Sequence, residues 1–225
     1  LKKYNNITFY NKKDINIFLI FLSCNKNKKI WNNLKNIGLT DYLIITGKKM
    51  ENNYLLEDNI LYMNCNDLYD GLPEKIIFTI NFILNNDKFK KNTHILKIDD
   101  HDNKINLSTI DKLKEYKNIL NKYDYIGQKI NVGTNGIRKW HFKKLSKESL
   151  WYRKEYKGEF VNWADGGCSY ILNRRSLNYI NSIYDLNNLK ELRKNHIYED
   201  LMIALTLKKF NIKPHQLSYG VKGDK

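Results

Sequence analysis

Residues 95–102 read Ile95-Leu96-Lys97-Ile98-Asp99-Asp100-His101-Asp102. The apolar part is typical of a buried strand, and it leads directly into three carboxylates and one imidazole. In open α/β sheets, ligands bind at the carboxyl ends of the strands, where these side chains would lie. Adjacent acids repel one another unless a positive charge lies among them. The segment therefore predicts an α/β fold with a site for Mg²⁺ or Mn²⁺; a solvated acidic turn is the alternative.

The chain has 225 residues and a formal net charge of +15. This length predicts one compact domain with a substantial core. The excess of positive charge favours anionic substrates, but lysine and asparagine are dispersed and form no concentrated basic block. We therefore expect no specific nucleic-acid partner. A basic nucleic-acid-binding protein is an alternative, and it predicts salt-sensitive binding to DNA or RNA.

The cysteines Cys24, Cys65 and Cys168 are widely spaced and odd in number. They indicate neither a zinc motif nor a complete disulfide framework, and they favour a reducing compartment. The longest apolar run, residues 15–22, is too short to span a bilayer. We expect a cytoplasmic protein with no membrane span in this chain, or a lumenal one if an upstream anchor has been removed.

Apolar segments and helical periodicity alternate along the first half of the chain. The predicted strands are residues 15–22, 41–46, 60–64, 93–98 and 123–126, and the predicted helices follow Asn25, begin near Pro73, and cover 108–120. This alternation is typical of a nucleotide-binding α/β sheet flanked by helices, a Rossmann-like architecture.

The second half of the chain is less regular. Residues 127–161 combine glycine and tryptophan with polar and basic sequence, which predicts an irregular lobe. Strands are then predicted at 169–172 and 212–217, helices at 176–183 and 199–210, and a polar linker between the two helices.

Four segments, in this order along the chain, carry a resemblance to a known family. Residues 67–75 (DLYDGLPEK) resemble a D-x-Y-x-x-L-x-x-K element, and residues 97–101 resemble a K-x-D-D-D metal motif. Residues 163–172 resemble an aromatic, glycine-rich acceptor-side element, and residues 198–204 resemble an E-D-V-x-x-G element. Together they resemble GT-A glycosyltransferases, and among these glycosyltransferase family 31, the β1,3-galactosyl-, N-acetylglucosaminyl- and Fringe-like enzymes. The resemblance implies one GT-A catalytic domain over residues 1–225, with a nucleotide-sugar-binding half at about 15–127 and an acceptor-binding and catalytic half at about 128–225.

The sequence departs from the family pattern at two positions. His101 stands where the third aspartate is usual, and Ala204 where glycine is common. Histidine is still a competent Mn²⁺ ligand, so a metal-binding DXD-type motif remains the prediction.

The sequence does not decide which of residues 99–102 bind the metal. Asp99 with His101 is one pair, and Asp100 with Asp102 is the other, because residues two apart share a side of an extended segment. The resemblance favours Asp99, Asp100 and His101. It also implies a C-terminal histidine ligand, for which His215 is the candidate; an exposed histidine after a proline is the alternative.

The resemblance implies a metal-dependent, inverting transfer of a sugar from a nucleoside diphosphate donor, most often UDP-linked, to a saccharide or glycoconjugate acceptor with a β-linkage. The base that receives the acceptor proton would be Asp200, and Glu199 would orient it or bind substrate. A helix N-terminus stabilises an ionised carboxylate, which suits this role. Alternatively, both residues are only first-turn acids of an amphipathic helix.

Residues of the acceptor-side element are candidates for contact with the sugars. Gly166 and Gly167 permit close approach of the backbone, and Trp163 offers a ring for stacking. Asp165 is a candidate for hydrogen bonds to donor hydroxyls. A tight turn with a capping aspartate before a core strand is the alternative.

Candidates for contact with the nucleotide are Ser23, Cys24 and Lys28, which follow the first predicted strand. Lys75 and Lys97 are candidates for contact with phosphate, although lysines bordering a core helix or strand are more often packing residues. The same acids would also serve a metal-dependent nucleotidyltransferase or nuclease, which would release pyrophosphate or cleave phosphodiesters.

Overall fold

The computed structural model describes residues 15–35, 39–100 and 107–220. These residues form a mixed eight-stranded sheet flanked by helices, with a separate two-stranded ribbon. The predicted α/β, Rossmann-like class is confirmed.

Within the described ranges, the strands are β1 (Ile17–Leu22), β2 (Tyr42–Gly47), β3 (Tyr54–Glu57), β4 (Ile60–Met63), β5 (His94–Asp99), β6 (Tyr125–Gly127), β7 (Ile130–Asn131), β8 (Trp163–Ala164), β9 (Tyr170–Asn173) and β10 (His215–Gln216). The α-helices of the same ranges are α1 (Lys28–Lys35), α2 (Leu72–Asn85), α3 (Leu107–Glu115), α4 (Lys117–Lys122), α5 (Arg174–Ile183), α6 (Leu189–Asn195) and α7 (Glu199–Lys208).

The strand order in the large sheet is β10-β6-β9-β5-β1-β2-β4-β3. The central strands β5, β1, β2 and β4 run parallel, and β9 runs antiparallel between β5 and β6. Because β1 and β5 are parallel neighbours, with Leu22 paired to Asp99, the residues that follow both strands lie side by side. The acidic cluster thus begins beside the loop that follows β1.

Side chains alternate between the two faces of the sheet, as the pleat requires. On β1, Phe18, Ile20 and Leu22 pack into a core with α2, α5 and α7. Residues 17, 19 and 21 pack on the other face, where Trp31 of α1 and Leu113 of α3 cover them. A sheet buried on both faces explains why its central strands read as continuous apolar segments in the sequence.

Several predicted elements differ from those observed. The helix predicted at 108–120 is divided at Tyr116 into α3 and α4. The polar linker contains α6, a short helix whose Leu192 is fully buried. The edge strand β3 was not predicted, because only alternate residues of it are half-buried. The strand predicted at 212–217 is reduced to β10.

The lobe, residues 128–164, connects β6 to β9 and is mostly turns. Its short ribbon pairs β7 with β8, and much of its packing is between aromatic rings. Tyr156 and Tyr198 pack at a ring-centroid distance of 5.2 Å in a small core of their own. The His141 ring is fully buried, 2.7 Å from the Tyr198 hydroxyl and 2.8 Å from the Lys154 carbonyl oxygen. These contacts attach the lobe to the residue that precedes α7.

Among the described residues, no helix is both long and apolar enough to cross a membrane.

Candidate active site

A cleft of about 510 Å³ opens at the carboxyl ends of β1 and β5. It is the place where a parallel sheet positions ligands. Its polar lining includes Ser23, Asp67, Asp99, Asp100, Glu199 and Asp200. The strand-end acids and the acids at the start of α7 are 100 residues apart in sequence, and the fold brings both pairs to one cavity.

Asp100 is buried at the base of this cleft and bound to the loop after β1. The Ser23 hydroxyl donates to its Oδ2 at 2.6 Å, and the Asn27 amide donates to its Oδ1 at 3.3 Å. The indole Nε1 of Trp31 donates in turn to the Ser23 Oγ at 2.6 Å. Ser23 therefore orients Asp100 and also lines the cleft, so its contact with the nucleotide stays a prediction.

Lys97 lies beneath the two acidic pairs and is 1% exposed. Its ammonium contacts Asp99 Oδ1 at 2.5 Å and donates to the Gly166 carbonyl oxygen at 2.8 Å. Glu199 Oε2 lies 3.7 Å away. Burial alone would lower the pKa of Lys97, but Asp99 and Glu199 raise it above its usual value. Lys97 is thus a buried counter-ion for the carboxylates, and its contact with phosphate stays a prediction.

Glu199 and Asp200 differ in environment, although they are adjacent at the start of α7. Glu199 is 5% exposed and accepts a hydrogen bond from the Tyr170 hydroxyl. Burial raises the pKa of Glu199 to about 7, against the opposing effect of Lys97. Asp200 is partly exposed in the cleft; burial raises its pKa, and hydrogen bonds from the Gly166 and Leu201 amides oppose that rise. Of the two carboxylates, Asp200 is the better placed to accept a proton from a ligand.

Gly166 lies between Lys97 and the α7 acids. Its carbonyl oxygen accepts from Lys97, and its amide donates to Asp200 Oδ2 at 3.0 Å. A Cβ at this position would lie 3.0 Å from Glu199 Oε2 and 3.1 Å from Asp200 Cβ. The absence of a side chain at Gly166 is therefore what lets the backbone meet both carboxylates. Gly167 is less constrained, because a Cβ there would meet only Asp165 Oδ1, at 3.3 Å.

Lys75 is fully buried under the opposite side of the cleft. Its ammonium donates to the Ser23 carbonyl oxygen at 2.7 Å and contacts Asp67 Oδ1 at 2.8 Å. Burial would raise the pKa of Asp67, but Lys75 and the Asn25 and Gly47 amides outweigh it and hold that pKa below its usual value. Lys75 therefore fixes the loops after β1 and β4, and it also belongs to the lining of the cleft, so its contact with phosphate stays a prediction.

A second cavity of about 460 Å³ adjoins the cleft on the side of the lobe. Its wall includes several aromatic side chains, among them Phe160, Trp163 and Tyr198, and we call it the aromatic pocket. Four residues line both cavities: Tyr69, Trp140, Asp165 and Asp200. Aromatic faces in an open, partly polar pocket suit the apolar faces of sugar rings. Asp200 thus lies where a molecule in the cleft and a molecule in the aromatic pocket would meet.

Most of the sequence-predicted site residues come together. Cys24, Asp99, Asp165, Gly166 and Gly167 line the cleft. Asp165 also receives the Gly167 amide at 3.0 Å, so it caps the turn before β9 as well as lining the cavity.

Two predicted residues of the described ranges do not line the cleft. Lys28 is exposed at the start of α1 and is not part of the lining, where Lys26 and Asn27 are found instead. His215 lies on β10, with its ring stacked on Tyr123 at 3.6 Å, three strands away from β5. His101 and Asp102 lie outside the described residues.

The donor atoms at the cleft suit a hard divalent cation. Asp99 and Asp100 supply carboxylate oxygens at the end of β5, the ligand type that Mg²⁺ and Mn²⁺ prefer. In the described ranges, no three His, Cys, Asp or Glu side chains form a metal-binding group. These two carboxylates fit a metal that takes its other ligands from a bound diphosphate and water, as Mg²⁺ does in phosphate-binding sites.

Several cleft residues were not assigned a role from the sequence. Tyr69 and Asp67 lie within the motif at 67–75, so the motif marked their segment but not their roles. Trp140 and Lys144 come from the lobe, whose sequence has no periodicity to indicate which side chains face the site. The sequence marks these residues only by composition, because aromatic and basic residues are interspersed there.

No protein-family model matches the chain, and no curated protein matches it. The family 31 resemblance therefore has no support from a family model. Among solved structures, the chain is similar to 4-diphosphocytidyl-2C-methyl-D-erythritol synthase from Anaerococcus prevotii, with 12% identity over 94% of this chain and 91% of that chain and a TM-score of 0.42. At this level the similarity identifies neither a family nor an activity.

Proposed function

We propose that this protein is a metal-dependent inverting glycosyltransferase. It would transfer a sugar from a nucleoside diphosphate donor to a saccharide or glycoconjugate and form a β-linkage. The proposed donor is a UDP-linked sugar. The observation that carries this proposal is the position of Asp200 between a carboxylate cleft at the strand ends and an aromatic pocket under the lobe. One cavity has the chemistry for a nucleotide diphosphate, and the other has the chemistry for a sugar ring.

The donor would lie in the cleft, with its diphosphate near Asp99 and Asp100. A divalent cation held by these carboxylates, together with His101 and Asp102 as further candidate ligands, would offset the charge that develops on the departing diphosphate. Asp165, Gly166 and Gly167 would contact the donor sugar, and Cys24 the nucleotide. His215 remains a proposed ligand only if β10 rearranges, because its ring is stacked on Tyr123.

The acceptor would enter through the aromatic pocket and present a hydroxyl to Asp200. The carboxylate would take the hydroxyl proton as the oxygen forms its bond to the anomeric carbon and the bond to the diphosphate breaks. A raised pKa makes Asp200 a stronger base than an exposed aspartate. Glu199, buried beside Lys97, would act by holding Asp200 and Gly166 in position.

The proposal is tested by measuring sugar transfer from a panel of nucleotide sugars to soluble glycan acceptors, with Mn²⁺ and then with EDTA. Product analysis by mass spectrometry would show addition of one hexose or N-acetylhexosamine. We expect transfer with Mn²⁺ and none with EDTA. We also expect Asp100→Asn to weaken Mn²⁺-dependent UDP binding while the protein stays folded, because Asp100 lies at the end of a strand and outside the main core.

Other outcomes would favour other functions. Release of pyrophosphate from a nucleoside triphosphate, with no sugar transfer, would indicate a nucleotidyltransferase. Cleavage of phosphodiesters would indicate a nuclease. Salt-sensitive DNA or RNA binding that is unaffected by Asp200→Ala would indicate a nucleic-acid-binding protein.

A further inference from the structure

The lining of the cleft contains four lysines, and their availability differs. Lys75 and Lys97 are buried and bound to carboxylates and carbonyl oxygens. The other two are Lys26, at the rim beside Asn27, and Lys144, in the lobe. Among the residues that the structure describes, only these two lining lysines remain available for an anionic ligand.

Lys144 is held in place by two aromatic rings. Its ammonium lies 4.3 Å from the centroid of the Trp140 ring and 4.8 Å from that of the Tyr69 ring. The two rings come from different parts of the chain, the lobe and the segment before α2. Cation–π contacts at this distance position an ammonium without using hydrogen-bond acceptors. Within the described part of the chain, the ammonium makes no ion pair, so its N–H groups stay available.

The charges around Lys144 indicate what would bind there. Burial lowers its pKa, and the negative charges of Asp200, Asp99 and Asp165 oppose this. All three carboxylates line the same cleft as Lys144. In the described residues none of the three lies within 4.0 Å of the Lys144 ammonium; Asp99 is paired with Lys97 and Asp165 with Lys129. The space between the lysine and the carboxylates belongs to the cleft of about 510 Å³. An anion in this space would be bounded by Lys144 on one side and by the strand-end acids, with any cation they hold, on the other.

We infer that Lys144 binds the diphosphate of the donor and stabilises it as a leaving group. This inference rests on the proposed function. A diphosphate fits better than a single carboxylate, because it carries the several charges needed to contact both a cation at the strand ends and a lysine of the lobe. Lys144 is favoured over Lys26 because the rings already restrict it, so that less side-chain freedom is lost on binding.

The test is isothermal titration of UDP, GDP and CDP, and of the matching nucleosides, in the presence of Mn²⁺. Lys144→Met should weaken diphosphate binding roughly 10- to 100-fold, the effect of one hydrogen bond to a charged group. Nucleoside binding should stay unchanged, because the lysine contacts only phosphate. Lys144→Arg, which keeps the charge and the stacking, should retain most of the affinity. The control is Lys143→Met, an exposed neighbour that does not line the cleft.

Two results would overturn the inference and leave the proposed function standing. One is equal diphosphate affinity in the wild type and Lys144→Met, and the other is a larger loss in Lys26→Met than in Lys144→Met. Loss of nucleoside binding together with diphosphate binding would also count against a phosphate contact. If the wild type binds none of the nucleoside diphosphates, both this inference and the proposed function fall.

Discussion

The strand ends and the lobe line the same cleft but are built from opposite kinds of interaction. At the strand ends, Lys97 and Lys75 are buried and hold carboxylates and loops in place. In the lobe, the exposed Lys144 lies on aromatic rings and lines the cavity. A lysine at a site of this kind is therefore structural or ligand-binding according to its partners, which sequence position alone does not reveal.

The largest expected effect is a loss of stability when the buried ammonium of Lys97 is removed. Lys97→Met keeps the length of the side chain but leaves Asp99 and Glu199 without their counter-ion, and it should cost about 3–5 kcal/mol in the free energy of unfolding. Denaturant unfolding measures this cost. Lys129→Met is the matched exposed control: Lys129 lies 3.7 Å from Asp165 Oδ2 and is 60% exposed, and its loss should cost about 0–1 kcal/mol. Equal costs for the two variants would contradict the distinction between buried and exposed lysines.

A second effect should appear in the dependence of stability on pH. The pKa of Glu199 is raised from 4.5 to about 7 in the folded protein, so the folded state binds that proton more tightly than the unfolded chain. The stabilisation is fully present below pH 4.5 and is lost as the pH rises through about 7. Glu199→Gln stays uncharged, so between about pH 4 and about pH 8 it should gain about 3 kcal/mol relative to the wild type. Denaturant unfolding at several pH values measures this gain. If the difference in the free energy of unfolding between Glu199→Gln and the wild type is the same at every pH, Glu199 does not titrate in this range.

A third effect tests the close packing at the turn before β9. Gly166→Ala should cost about 1–3 kcal/mol, because its Cβ would meet both α7 carboxylates. It should also reduce sugar transfer, since Asp200 must move. Gly167→Ala, whose Cβ meets only Asp165, should cost less in both thermal unfolding and transfer. If the two alanine variants behave alike, then Gly166 does not set the position of the acids.

The sequence was sufficient for the features that depend on local pattern. The central strands β1, β2 and β5 are continuous apolar segments because the sheet is buried on both faces, and this made them predictable. The acids after β5 and at the start of α7 stood out because carboxylates rarely follow a buried segment without a reason.

The features that depend on distant partners could not be predicted. Lys75 and Lys97 looked like phosphate-binding candidates, since no local pattern shows that Asp67 and Glu199 would occupy their ammonium groups. The lobe gave still less information, because turns and aromatic contacts have no periodicity. Its Lys144 became a candidate only when the fold placed it in the lining of the same cleft as Asp200.

The most direct measurement for the central claim is the rate of sugar transfer by Asp200→Asn beside its affinity for the donor. Asparagine keeps the shape of the side chain and one acceptor oxygen for the Gly166 or Leu201 amide, but it cannot take a proton. Asp111→Asn, an exposed change on α3, serves as the control. We expect unchanged donor binding with Mn²⁺ and a loss of about 10²-fold or more in turnover. Turnover near that of the wild type would contradict this expectation and remove Asp200 from the mechanism.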